Sequence, residues 1–140
     1  MPTLNFRINR IKGTRKDTDA NNVNVRSNFT IISIKKDKDP RIGEYLHVNF
    51  KFDIRYEPDL GNIDLEGSLW YQHPELKKII SENEGKIKLK AEAVRDISNS
   101  ILQRSIINSI DIVEKLRLPL PIQLPKVNVK SKEVMFPRAS

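Results

Sequence analysis

Residues 45–56 alternate apolar and polar side chains, and this stretch constrains the fold more than any other feature of the chain. Successive side chains of a β-strand point to opposite faces, so a period of two predicts a strand with one buried face. That buried face would consist of Val48, Phe50, Phe52 and Ile54. The sequence therefore predicts a half-buried strand here, to which neighbouring segments can pair.

Three further segments show the same alternation. Residues 4–9 predict a first strand, and residues 23–34 predict a second with a bulge near Ile32. Residues 63–71 return as a fourth strand, in which Gly67 permits a bend or a bulge.

The connections between these strands are short and polar. They comprise a loop at residues 13–22 and turns at residues 37–43 and 58–62. Four consecutive strands joined in this way predict a four-stranded antiparallel β-meander. Its edge would be formed by Leu4 to Ile8, whose unpaired backbone groups a partner strand could cover.

Two helices are expected after the strands, which makes the fold class α+β. A short helix would begin at His73, Pro74 and Glu75 and would end before Gly85. Residues 86–90 fit either a short strand or the lead-in to the next helix. Apolar residues then recur at helical spacing from Ala91 to about Leu116, which predicts a long helix packed on the sheet.

The segment after the long helix contains Pro119, Pro121 and Pro125, so it must run extended. The apolar side chains of this Pro-rich C-terminal arm would share one side and lie along a groove or a sheet edge; they are Leu118, Leu120, Ile122 and Leu124. A flexible basic tail would follow from about residue 128 to 140. Residues 1–140 are expected to form a single domain.

The chain lacks or has few of the residue types that many catalytic and metal sites need. The chain has no cysteine and only two histidines, which removes thiolate nucleophiles and zinc sites built on sulfur. A glycine-rich phosphate loop is also missing. We therefore expect no catalytic residues, no metal and no cofactor. Neither a signal peptide nor a membrane-inserted segment is recognisable, so we expect a cytoplasmic protein.

Two features point to binding. Trp70 and Tyr71 are adjacent on a strand and must point to opposite faces, so one ring should lie at a surface or in a groove. The formal net charge of +7 suits a polyanion, which makes a nucleic-acid-binding or ribosome-associated protein an alternative. The phosphate contacts in that case would be Arg7, Arg10, Lys12, Arg15, Lys16, Lys126, Lys130 and Lys132.

The order of these elements resembles the SecB-like protein-export chaperone family. The segment Leu-Glu-Gly-Ser-Leu at residues 65–69 is similar to the family's apolar strand with a central glycine. Ala-Val-Arg-Asp-Ile at residues 93–97 is similar to its helix start, Ala-Arg-Glu-x-Ile. Leu-Pro-Leu-Pro-Ile-Gln-Leu-Pro-Lys-Val-Asn at residues 118–128 is similar to its Phe-Pro-x-Leu-x-Leu-x-Pro-Val-Asn-Phe close.

The resemblance implies a function as well as a fold. It implies an ATP-independent holdase that keeps nonnative polypeptides in an apolar groove and serves protein export, toxin control or general holding. It also implies a homo-oligomer, either a dimer or a tetramer. The groove would include Trp70, Tyr71, Leu118, Leu120, Ile122 and Leu124.

Overall fold

The alternating stretch around Phe50 lies in the third of four long strands of one antiparallel sheet. A computed structural model describes residues 3–16, 23–120 and 133–139. The strands of this sheet are β1 (Thr3–Arg15), β2 (Asn24–Asp39), β3 (Gly43–Glu57) and β4 (Gly61–Tyr71). The predicted inward residues of β3 are all buried.

The order of the strands is β1-β4-β3-β2, so only β2, β3 and β4 form a meander. The expectation that all four strands pair consecutively is wrong, because β1 pairs with β4, from Thr3 opposite Tyr71 to Arg15 opposite Gly61. Gly67 permits this neighbour, since a Cβ on it would overlap the carbonyl oxygen of Arg7. The placement of β1 at an edge is confirmed.

Several strand boundaries extend beyond the predictions. The predicted loop begins three residues too early, because residues 13–15 still belong to β1. Residues 17–22 lie outside the described chain. The strand β2 continues to Asp39, so its turn to β3 is confined to residues 40–42. The bulge near Ile32 is confirmed by a shift of register between Ile31 and Ser33.

The predicted short helix is mostly a β-hairpin. Helix α1 covers only Leu76–Ile79 and leads into β5 (Ile80–Asn83), which pairs with β6 (Lys86–Lys90). Glu84 and Gly85 both have positive φ, 46° and 78°, as a tight two-residue hairpin turn requires. A glycine that ends a helix has the same left-handed backbone, so the sequence around Gly85 fits a helix end as well as a hairpin turn.

Residues 133–137, assigned from the sequence to a flexible tail, form the strand β7 (Glu133–Pro137). It pairs with β6, and the small sheet has the order β5-β6-β7.

The long helix α2 covers Ala91–Lys115 and packs its apolar face on the large sheet, as predicted. Ile110 is the exception on that face, with 38% of its surface exposed. The core has two clusters along α2. One surrounds Phe50 and Ile101, and the other surrounds Phe52 and Val113. The α+β class with a four-stranded antiparallel sheet under a long helix is confirmed.

Candidate functional site

Trp70 and Tyr71 end β4 and point to opposite faces of the large sheet, as their adjacency predicts. Tyr71 is fully buried on the face covered by α2, whereas Trp70 lies on the outer face and is partly exposed. The Trp70 ring stacks on that of Tyr45, with centroids 4.2 Å apart and planes inclined by 22°. The result is an aromatic platform at one end of the outer face, in which the buried Tyr45 supports the partly exposed Trp70 ring.

The Tyr71 side chain links the sheet to the helix. Its hydroxyl donates to Oδ2 of Asp96 on α2 at 3.3 Å. Burial, with the negative charge of Asp96 as a smaller cause, raises the pKa of Tyr71 well above its ordinary value. Tyr71 therefore stays neutral at physiological pH and positions the end of β4, with no surface to offer a ligand.

A cleft of about 780 Å³ lies where β4 passes into α1. Its lining includes Glu44 and Gln72, which are close to Tyr45 and Trp70 in sequence, but neither ring lines it. The Gln72 side-chain amide donates to the carbonyl oxygen of Ile42 at 2.7 Å and fixes one wall. The apolar part of the lining comes from Ile42, Pro74 and Leu76, beside acidic and basic side chains. Its volume falls in the range of about 300–1,000 Å³ that is usual for ligand pockets.

The first residues of the Pro-rich C-terminal arm lie away from the Trp70 platform. Leu118 is buried in the core, and its N–H donates to the Val113 carbonyl at 3.0 Å. The hydroxyl of Tyr56 donates to the carbonyl oxygen of Pro119 at 2.8 Å, and burial raises the pKa of Tyr56 to about 12. Leu120 is 44% exposed. Ile122 and Leu124 lie outside the described residues.

The structure does not bring Trp70 and Leu120 together. Trp70 lies opposite His47 on β3, whereas Pro119 is held by Tyr56 near the other end of that strand. A strand rises about 3.3 Å per residue, so about 30 Å separates His47 from Tyr56. Within one chain, Trp70 and Leu120 therefore belong to separate surfaces.

The basic residues of β1 and its end fall into two groups. Arg7, Arg10 and Lys12 lie opposite Ser68, Glu66 and Asp64 on the outer face, where the acidic neighbours reduce the local positive potential.

The second group is engaged in bonds to the chain itself. Nη1 of Arg15 donates to the carbonyl of Arg117 at 2.6 Å, and Nζ of Lys16 lies 2.9 Å from Oδ1 of Asp59. Lys126, Lys130 and Lys132 lie outside the described residues. A continuous basic stripe is thus not seen in the described part of β1.

Two features of the structure, the contact of Tyr45 with Trp70 and the strand β7, were not among the sequence-based predictions. Tyr45 was read only as the start of a strand, and its pairing with Trp70 depends on the register of β3 against β4. The strand β7 had a signal that was overlooked, because Val134 and Phe136 alternate with Glu133, Met135 and Pro137.

No helix within residues 3–16, 23–120 and 133–139 combines the length and hydropathy that crossing a bilayer requires. In those same ranges, no group of three or more histidine, aspartate or glutamate side chains is arranged so that it could hold a metal ion.

Comparison with known proteins finds a similar fold among solved structures. No protein-family model matches the sequence, and no curated protein sequence matches it significantly. Among solved structures, the chain is similar to the Mycobacterium tuberculosis SecB-like chaperone Rv1957 in complex with a ChAD peptide from the HigA1 antitoxin. The identity is 14%, the TM-score is 0.51, and the match covers 91% of this chain and 88% of that one. The fold of this chain is therefore similar to that of a SecB-like chaperone.

Proposed function

We propose that the protein is an ATP-independent chaperone of the holdase type that binds nonnative polypeptides. The observation that carries the proposal is the similarity of fold, over most of both chains, to a SecB-like chaperone solved with a peptide. Because that peptide comes from an antitoxin, we place toxin control ahead of export as the role to test.

The outer end of the large sheet offers the chemistry that such binding needs. An unfolded chain exposes apolar side chains together with unpaired backbone groups. The partly exposed Trp70, stacked on Tyr45, provides a rigid aromatic surface that loses little conformational entropy when it is covered. The cleft between β4 and α1 combines apolar walls with polar groups from Gln72 and His73. We propose this platform and cleft as the first contact for a client.

The test is suppression of the aggregation of a chemically unfolded model protein, followed by light scattering. Trp70→Ala should weaken client binding by about tenfold or more, the usual effect of removing a central aromatic anchor. Ile107→Ala is the matched control, because Ile107 is 57% exposed on α2 and its loss removes apolar surface away from the platform. Equal activity of both variants would contradict the role of Trp70.

The salt dependence of binding distinguishes the chaperone proposal from the nucleic-acid-binding alternative. Binding to apolar surface should persist or strengthen at high salt, whereas phosphate contacts weaken steeply. No suppression at any salt concentration, with tight and salt-sensitive RNA binding that is lost in Arg7→Ala/Arg10→Ala, would replace the holdase proposal with the ribosome-associated one. A homo-oligomer stays a prediction, for which the exposed edge of β1 supplies the surface.

A further inference from the structure

The strand β7 lies at the edge of the small sheet and is contributed by the C-terminal part of the chain. It pairs antiparallel with β6 over five residues, from Lys90 opposite Glu133 to Lys86 opposite Pro137. The pairing is continuous and contains no bulge. The outer edge of β6 thus accepts an extended segment through backbone hydrogen bonds.

The side chains of β7 alternate between the core and solvent. Val134 and Phe136 are partly buried and pack on the core cluster that contains Ile87 and Leu89. Met135 points the other way and is 49% exposed. The surface beside β6 therefore holds two apolar side chains, Val134 and Phe136, that are separated by one residue.

The residues after β7 bridge the two sheets. The N–H of Arg138 donates to the Gly85 carbonyl at 3.1 Å, and the N–H of Ala139 donates to the Ile34 carbonyl of β2 at 3.0 Å. The segment 133–139 therefore lies between β6 and β2, which is an edge strand of the large sheet. Its backbone is recognised on both sides.

Little in these contacts is specific to this particular segment. The ion pairs Lys88–Glu133 and Arg138–Glu82, at 3.7 and 2.9 Å, join exposed side chains and contribute little binding free energy. Backbone pairing plus pockets for alternate side chains is a general way of recognising extended peptides. These contacts require an extended backbone and two alternating apolar side chains, which another segment can also supply.

We propose that the edge of β6 is a binding site for extended apolar segments of nonnative polypeptides, and that β7 occupies this site within the free chain. Clients then bind by displacing β7, so their apparent dissociation constant is the intrinsic one divided by the fraction of chains in which the site is open. The inference rests on the proposed holdase function and assigns it a second contact surface, separate from the Trp70 platform.

The experiment locks β7 in place in the full chain. Lys88 and Met135 are directly opposite each other, and the chain has no native cysteine, so Lys88→Cys/Met135→Cys offers one possible disulfide. Thr30→Cys/Lys51→Cys, an opposed and exposed pair between β2 and β3, is the matched control. Affinity for a fluorescent, urea-unfolded, cysteine-free protein is measured for each variant, oxidised and reduced.

We expect oxidation to weaken client binding by about tenfold or more in the β6–β7 variant and to leave the control pair unchanged. A full chain carrying Val134→Ser/Phe136→Ser should bind clients more tightly than wild type, because its β7 competes less well.

Equal affinity of the oxidised and reduced β6–β7 variant, with Trp70→Ala still defective, would overturn the β6 site and leave the holdase proposal standing. Absence of client binding in both forms and in wild type would remove the holdase proposal and this inference together.

Discussion

Replacing Ile101 with alanine tests whether α2 packs on the sheet as the structure shows. Ile101 lies near the middle of α2 and has no exposed surface. The substitution removes three carbon atoms, worth about 2.4 kcal/mol at about 0.8 kcal/mol per buried methylene. The cavity left behind adds to this loss, so we expect the free energy of unfolding to fall by about 3–4 kcal/mol.

The same substitution at Ile107 provides the comparison. Because Ile107 is 57% exposed, its truncation should remove about 1 kcal/mol of burial, partly offset by the higher helix propensity of alanine. Urea unfolding at one fixed protein concentration, followed by circular dichroism, measures both changes. A loss at Ile107 equal to that at Ile101 would refute the assignment of the buried face of α2.

Two further predictions concern the sheet. Gly67→Ala should lower the free energy of unfolding by about 1–3 kcal/mol, because the new Cβ would lie 2.9 Å from Cζ of Phe50 and overlap the Arg7 carbonyl; an unchanged urea midpoint would contradict this close approach of β1. Burial raises the pKa of Tyr56 to about 12 from an ordinary value near 10, so its stabilising contribution is complete below about pH 10 and is lost as the pH rises through 12. Tyr56→Phe should therefore show a smaller decline of unfolding free energy between about pH 10 and 12 than wild type, and an identical decline would be evidence against a buried hydroxyl.

Local patterns determined most of the elements. The alternation in β3 reports burial on one face, and the spacing in α2 reports one apolar stripe, so both were predictable from neighbouring residues. The bulge near Ile32 was readable for the same reason, since a break in the alternation is local.

Gly85 shows where a local pattern becomes ambiguous. A left-handed glycine suits both a helix end and a hairpin turn, and the choice between them depends on whether Ile80 finds a partner strand in Leu89. The apolar residues before Gly85 fit either structure, so only pairing with β6 decided the outcome.

For the candidate binding surfaces, too, some features follow from the sequence and others only from the tertiary structure. The sequence by itself determined that Trp70 and Tyr71 face opposite sides, because the geometry of one strand requires it. Tertiary structure decided which of the two rings is buried. It also decided that Trp70 stacks on Tyr45 and that β7 occupies the edge of β6. Each of these depends on the register and order of strands distant in the sequence, and no local periodicity encodes strand order.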